Sequence, residues 1–237
     1  FPEKPNYNFT KEQMLERKKV LKNKVEHIKF KDLKNTNELI EAYSKSSFQA
    51  RKIGEGAKLY KKELNRGTTI IWSLAGSIFS AGLRELVIDS VRKNLVDCLV
   101  CTGALFEQDM LEALGYNHYV QTEEIEDKAL QNLLIDRIYD HLLDEIELQH
   151  VDETYKKIAK QMHRGNYSSR EFMEYCGKWL SNVKDANDSV ILAAYEMNVP
   201  IFIPAINDCS IGIGLAMNQS EVKNGISIDS IKDLREI

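Results

Sequence analysis

The stretch LVDCLVCTGALFEQDML, residues 95–111, joins an apolar run to a helical pattern through small residues. Residues 95–101 are apolar apart from one aspartate, and Thr102, Gly103 and Ala104 follow them. From Glu107 onward, acidic and apolar residues alternate as on one amphipathic helix. A buried strand, a short turn and a helix that starts at the strand's end form the unit of parallel sheets. The stretch therefore predicts one strand–helix unit.

Two other places in the chain repeat this order. Residues 68–76, TTIIWSLAG, are an apolar, β-branched run before a helical pattern over residues 80–94. Residues 199–204 are the third apolar run, and a polar loop with Asp208 follows them. Because strands without polar alternation are typical of sheets covered on both faces, we predict neighbouring parallel strands. The fold class expected is α/β, with a doubly wound, Rossmann-like sheet and helices on both faces.

Helical patterns occupy much of the remaining chain. Residues 10–26 form an amphipathic pattern, and Thr10 and Gln13 in it match a capping box. Residues 36–64 predict two helices, interrupted at the glycine pair Gly54 and Gly56. Residues 122–163 are acidic and predict mostly helix. No internal repeat or low-complexity tract occurs.

Composition excludes several classes of protein. The 237 residues carry a net charge of −4, and the basic residues near the N-terminus fit a solvated helix face rather than a nucleic-acid surface. No apolar run reaches the length that spans a membrane, and the polar first residues lead us to expect no secretory signal. The four cysteines include Cys98 and Cys101, which point to opposite faces of a strand and so suit core packing better than a metal or redox centre. We expect a cytoplasmic protein that binds no metal ion, membrane or nucleic acid.

The strand ends are the candidate site. In open parallel sheets, ligands bind beyond the carboxyl ends of the strands. The small residues there allow a ligand to approach the backbone, and the helix N-termini that follow favour phosphate. A nucleotide cofactor is therefore one interpretation, and ordinary tight turns are the other. Glu107, Asp109 and Asp208 lie at these ends, either as charges in the first turn of a helix or as ligand contacts.

Three segments carry a resemblance to a known family. They are residues 47–64, SFQARKIGEGAKLYKKEL; residues 81–111, which end in the stretch quoted first; and residues 199–212, VPIFIPAINDCSIG. Together and in this order they resemble deoxyhypusine synthase. The resemblance runs from about Phe30 to Ile237 and so covers nearly all of the chain.

This resemblance implies a doubly wound fold and a tetramer with NAD near the subunit interfaces. It implies that NAD takes a hydride from spermidine and that an enzyme lysine then holds the 4-aminobutyl group as an imine. The group passes to a lysine of a translation initiation factor precursor, which is the first step of hypusine biosynthesis. A neutral amine suits this role because it adds to a carbonyl-like carbon.

The resemblance also assigns site residues. Those matching the NAD-contacting positions of the family are Gly76, Ser77, Ile78, Phe79, Ser80, Thr102, Gly103, Ala104 and Asp208. Glu107 matches the first of two adjacent glutamates that many members place near spermidine, and Gln108 stands at the second. Glu107 and Gln108 are therefore the expected substrate-binding residues, because carboxylates pair with ammonium groups.

Departures from the family leave alternatives open. Gln108 and Ile213 stand where those members have carboxylates. The family's nucleophilic lysine follows the segment matched by DLREI, so no catalytic residue is assigned. We expect a single deoxyhypusine synthase-like domain over residues 1–237, without its C-terminal part, and with residues 1–29 as a helical extension. We expect the chain to form a homotetramer or a hetero-oligomer with a family member. The alternative functions are a regulatory paralogue that assembles with a complete subunit and an aminobutyl transferase similar to homospermidine synthase.

Overall fold

The computed structural model of the chain describes residues 8–221 and 225–237. The chain divides into two compact units, Phe1–Thr68 and Thr69–Ile237. Residues 1–7 of the expected N-terminal extension lie outside the described part of the chain. No helix among the described residues is long and apolar enough to cross a membrane.

The first unit is helical. Its helices are α1 (Lys11–Val20), α2 (Thr36–Tyr43) and α3 (Phe48–Arg66), with a 3₁₀ turn at Phe30–Asp32. The predicted capping box is confirmed, because Thr10 and Gln13 bond each other's backbone amides at 3.1 and 2.9 Å. The predicted helix over 10–26 ends early, at Val20. No residue of α1 is buried, so no tertiary packing extends this short helix.

The prediction that glycines interrupt the helical stretch over 36–64 is wrong in position. Gly54 and Gly56 both lie inside α3, and the break between the helices falls at residues 44–47. A Cβ atom on Gly54 would lie 2.4 Å from the backbone nitrogen of Ser44. Gly54 is therefore a contact point where α3 meets the end of α2, rather than a helix breaker.

The second unit holds the strands and the remaining helices. In chain order its elements are β1 (Ile71–Leu74), α4 (Arg84–Arg92), β2 (Cys98–Cys101), α5 (Gly103–Ala113), β3 (Tyr119–Val120), α6 (Asp127–Asn132), β4 (Ile135–Ile138), β5 (His141–Asp144), α7 (Glu145–Gln161), β6 (Asn166–Tyr167), α8 (Ser169–Leu180), α9 (Val190–Met197), β7 (Ile201–Phe202), α10 (Ser210–Glu221), β8 (Ser227–Ile228) and α11 (Ser230–Glu236). One π turn, Phe79–Leu83, precedes α4.

Three parallel strands form the central sheet. The order is β1-β2-β7, with Ile71 opposite Cys98 and Leu99 opposite Ile201. This confirms the predicted parallel pairing of the three apolar runs. The prediction that both faces of the sheet are covered is confirmed for β2, which is almost wholly buried. It is wrong for β1, because Ile71 is 53 % exposed and exposure alternates along the strand.

The prediction of mostly helix over residues 122–163 is half right. Helices α6 and α7 lie there, but β4 and β5 form an antiparallel hairpin between them, and β3 pairs with β5. Tyr139 takes a left-handed conformation, with φ 57°, in the turn that reverses the chain. Asp144 then caps α7, its carboxylate accepting the Ile146 N–H at 2.8 Å. The acidic composition of this segment concealed the turn, because a charged surface suits a hairpin as well as a helix.

The short element near the end of the chain is a strand. β8 pairs with β6 in parallel, with Asn166 opposite Ser227. The interpretation of residues 224–229 as a short strand or turn thus agrees with the structure from residue 225 onward. Residue 224 lies outside the described part of the chain.

A buried ion pair joins three helices of this unit. Asp109 on α5 is fully buried (0 % exposed), and its carboxylate accepts the Nε–H of Arg84 at 2.7 Å. The same carboxylate accepts the N–H groups of Val190 and Ile191 at 3.0 and 2.9 Å, at the start of α9. Arg84 also donates to the Asp188 carbonyl. Every donor near this carboxylate therefore has its acceptor, which buried charges require.

We predict that Asp109→Ala lowers the free energy of unfolding by about 3–5 kcal/mol, because the buried Arg84 loses its counter-ion and the N–H groups of Val190 and Ile191 lose their acceptor. Asp89→Ala is the matched control. Asp89 pairs only across the surface of α4, with Lys93, so its loss changes stability by less than about 1 kcal/mol. Urea denaturation at pH 7 measures both variants. Equal losses in the two would contradict the role of the buried pair.

Candidate functional site

The carboxyl ends of β1, β2 and β7 meet at one edge of the sheet. Their parallel register requires this, and each end runs into a loop that precedes a helix or the π turn. Thr102, the N-cap residue of α5, donates its backbone N–H to the Leu74 carbonyl at 3.2 Å. The first two loops are thereby joined at their starts.

The loop after β1 divides its predicted contact residues between surface and core. Gly76 has φ +82°, and nothing lies within 4 Å of where a Cβ would stand, so its backbone is open to a ligand. Ser77, Ile78 and Ser80 are half-buried. Phe79 is 1 % exposed, and its ring packs edge-on against Phe106 at 6.2 Å. Of Phe79, only the backbone can therefore reach the site.

Gly103 brings the β2 and β7 loops into contact. A Cβ on Gly103 would lie 2.2 Å from the Sγ of Cys209 and 2.9 Å from its Cβ. Only glycine allows this approach. Burial raises the pKa of the Cys209 thiol to about 11, so the thiol stays protonated at neutral pH and is a poor nucleophile. Cys209 is therefore a packing residue of the site.

Glu107 connects α5 to α10. Its carboxylate accepts the backbone N–H of Ser210 at 2.9 Å, at the first residue of α10. Burial raises the pKa of Glu107, and the hydrogen bonds from Ser210 oppose that shift. The charges of Asp152 and Asp208 raise it further. A cation beside Glu107 would relieve this repulsion, so the arrangement favours a positively charged ligand.

Sequence reasoning missed Asp152. This residue lies on α7, in a charged stretch where no motif marks it. Burial raises its pKa, and the Ser210 side chain opposes the rise. One carboxylate oxygen of Asp152 is buried, and no described residue offers it a hydrogen bond. Asp208, the predicted NAD contact, is exposed at the same edge. The structure therefore brings Glu107, Asp152 and Asp208 into one electrostatic group.

Gln108 faces a different loop. It is 4 % exposed, and its side-chain carbonyl accepts the Ser80 N–H at 3.1 Å. Glu107, Gln108 and Asp109 are consecutive residues of α5, and each holds a different segment. In that order, they hold the start of α10, the loop after β1 and the start of α9. The site is therefore assembled around the first two turns of α5.

Comparison with known proteins identifies the family. The model of the deoxyhypusine synthase family matches residues 38–237. The chain belongs to the deoxyhypusine synthase family. The resemblance read from the sequence is thereby confirmed. Among described residues, no group of three or more histidine, cysteine, aspartate or glutamate side chains could hold a metal ion.

Curated relatives cover nearly all of the chain. A deoxyhypusine synthase-like protein from Chlorobaculum parvum is 39 % identical over 229 residues, which are 95 % of this chain and 65 % of the relative. A protein from Methanosarcina acetivorans, named probable deoxyhypusine synthase 2, is 39 % identical over 209 residues, which are 87 % of this chain and 60 % of that protein. The chain thus spans about 60–65 % of the length of these relatives.

A solved structure shares the fold. The crystal structure of a protein assigned as a deoxyhypusine synthase from Entamoeba histolytica aligns with a TM-score of 0.60 at 19 % identity, over 89 % of this chain and 75 % of that one. The likeness shows that this member of the deoxyhypusine synthase family keeps the family's mixed α/β fold.

Gly103→Ala provides a test of how the loops are assembled. The added Cβ overlaps Cys209, so we predict a loss of about 1–3 kcal/mol in the free energy of unfolding. Cys209→Ala in the same chain recovers part of the loss, because the Sγ is then absent. Gly56→Ala is the control. Nothing lies within 4 Å of that position inside α3, and the change stabilises by about 0.5–1 kcal/mol. A double-mutant cycle from thermal denaturation measures the coupling. If the changes in unfolding free energy at positions 103 and 209 are additive, the predicted contact between Gly103 and Cys209 is contradicted.

Proposed function

We propose that the whole protein is an NAD-dependent transferase of the deoxyhypusine synthase type. It would move the 4-aminobutyl group of spermidine to a lysine of a translation initiation factor precursor, in the cytoplasm and as a tetramer. The observation that carries the proposal is the meeting of three family-matched loops at one sheet edge, with Glu107 between two of them.

The residues at this edge fit a dinucleotide. Gly76 leaves open space beside its backbone, and α5 and α10 both begin here. Helix N-termini favour phosphate oxygens, and an exposed carboxylate such as Asp208 can accept hydrogen bonds from ribose hydroxyls. The residues that would hold NAD are Gly76, Ser77, Ile78, Phe79, Ser80, Thr102, Gly103, Ala104 and Asp208, with Phe79 acting through its backbone. When bound, NAD supplies an acceptor for a hydride and later returns it.

Glu107 is the proposed ligand for a substrate ammonium group. Its partly buried carboxylate keeps one oxygen on Ser210, and the other can accept a charge-assisted hydrogen bond. Asp152 and Asp208 contribute negative potential around it. Because burial weakens the screening by water, a cation gains more from these charges here than at an open surface.

No lysine of this chain is assigned the nucleophile's role. We infer that the lysine lies in a segment of the whole protein that follows the matched region, or in a partner subunit. The relatives are longer than the match, which is consistent with such a segment. A doubly wound sheet with further strands beside the central three is part of the same proposal.

Position 213 favours a second candidate function. Ile213 on α10 is 51 % exposed, where the resemblance places a carboxylate in many members, and Gln108 is neutral. Uncharged residues at two positions where many members have carboxylates indicate a pocket that differs from theirs, and the acceptor can differ with it. The second candidate is therefore transfer to a free diamine, as in homospermidine synthases. A regulatory subunit is the non-catalytic alternative.

Label transfer distinguishes these functions. The full-length protein is incubated with NAD and spermidine labelled in its aminobutyl group, together with either the factor precursor or putrescine. Label on the precursor supports the proposed function, and label on putrescine supports the second candidate. No label in either case, with transfer by another family member stimulated on mixing, would indicate the regulatory role.

We predict that Asp208→Ala weakens NAD binding by about tenfold or more, because a hydrogen bond to a charged group contributes about 1.5–3 kcal/mol. Isothermal calorimetry with NAD measures the change. Asp89→Ala, on the exposed surface of α4, is the control and keeps the affinity. Equal NAD affinity in wild type and Asp208→Ala would exclude the assigned contact.

Spermidine affinity should rise with pH through the pKa of Glu107, which burial places above its ordinary value of 4.5. The sign follows because only the ionised carboxylate attracts the ammonium group, which stays protonated over the whole range. Calorimetry between pH 4.5 and 8 measures the profile. Glu107→Gln keeps an acceptor for Ser210 but has no charge, so it binds more weakly and with a flatter profile. An unchanged slope in that variant would overturn the assignment.

A further inference from the structure

Gln108 lies where a substrate ligand is expected, yet the structure gives it another partner. The side chain is almost fully buried, and its carbonyl oxygen is occupied by the Ser80 N–H at 3.1 Å. A carbonyl oxygen that is both buried and engaged is not available to a ligand in the site. Its contact is instead with the loop that carries the proposed cofactor residues.

The loop after β1 is held to α5 by an apolar contact, Phe79 against Phe106, and by the hydrogen bond from Ser80 to Gln108. Within it, Ser80 Oγ donates to the Ser77 carbonyl at 3.0 Å, and the Ala81 N–H donates to the same carbonyl at 3.0 Å. These bonds shape the turn but do not tie it to another element. The bond from Ser80 to Gln108 crosses 28 residues of sequence and joins the turn to α5.

We propose that Gln108 is a positioning residue, which holds the 77–80 loop against α5 in the conformation that binds the cofactor. This rests on the proposed function, because the cofactor is taken to be NAD. Gln108 does not touch substrate in this assignment. It acts on the site only through the backbone of Ser80.

The neutral amide suits this position. Its neighbours in sequence, Glu107 and Asp109, are both carboxylates with buried oxygens, and Asp109 is fully enclosed. A third carboxylate would add like charge to a desolvated region. An amide oxygen accepts the same hydrogen bond without that charge. Glutamate, which the resemblance places here in many members, keeps the acceptor and is therefore the conservative variant.

Three variants test the assignment. Gln108→Leu keeps the volume but removes the acceptor, so the Ser80 amide is left unpaired and NAD affinity falls by about tenfold. Gln108→Glu restores the acceptor, and NAD affinity returns to within about threefold of wild type. Gln149→Leu is the control, since Gln149 is exposed and bonds only Glu145 on its own helix. Calorimetry gives NAD affinity for each, and spermidine affinity at saturating NAD.

Hydrogen exchange supplies a readout that does not need NAD. Exchange over residues 77–83 is faster in Gln108→Leu than in wild type, while exchange over the rest of α5 is unchanged. Gln108→Asn, whose amide is one methylene too short to reach Ser80, replaces the leucine variant if that variant does not fold. Both are expected to leave spermidine affinity within about twofold of wild type.

Two results would overturn the proposal. One is unchanged exchange over residues 77–83 in the variants that lack the acceptor. The other is a tenfold loss of spermidine affinity with NAD affinity unchanged, which would make Gln108 a substrate ligand. A wild-type protein that binds no NAD would instead contradict the proposed function, and the exchange data would still decide whether Gln108 holds the loop.

Discussion

The buried carboxylate of Asp109 is the constraint on which the rest of the second unit depends. It accepts hydrogen bonds from Arg84 and from the start of α9, and so sets the positions of α4 and α9 relative to α5. A buried charge is stable only where every oxygen and every nearby donor is paired. The helices around it therefore have little freedom to shift, and α5 becomes the rigid reference for the strand-end loops.

The neighbours of Asp109 on α5 use that rigidity. Successive residues on a helix point about 100° apart, so Glu107 and Gln108 face different segments from Asp109. One holds the start of α10 and the other holds the loop after β1. The cost is the burial of acidic groups close together, which raises the pKa of Glu107 and Asp152. Under the proposed function, a bound substrate cation would remove this repulsion.

The sequence predicted those parts of the fold whose signal is local. Apolar runs that end on small residues marked the three parallel strands, and the capping residues marked the helix at Thr10. The hairpin at β4 and β5 escaped prediction because a left-handed Tyr139 and a two-residue turn leave no characteristic residue pattern. Gly54 suggested a helix break, but it lies inside α3. Its role is to let the end of α2 approach α3, and the sequence does not encode that contact between elements.

By itself, the sequence determined the family and the three parallel strands of the central sheet, and it predicted the loops at which a ligand would bind. It also determined that Gln108 and Ile213 are uncharged. Only the tertiary structure decided what those residues contact: Asp152 joins Glu107 through Ser210, Phe79 turns into the core, and Gln108 bonds Ser80. The physical reason is that a side chain's partner and its burial depend on elements distant in sequence, which periodicity and motif spacing do not encode.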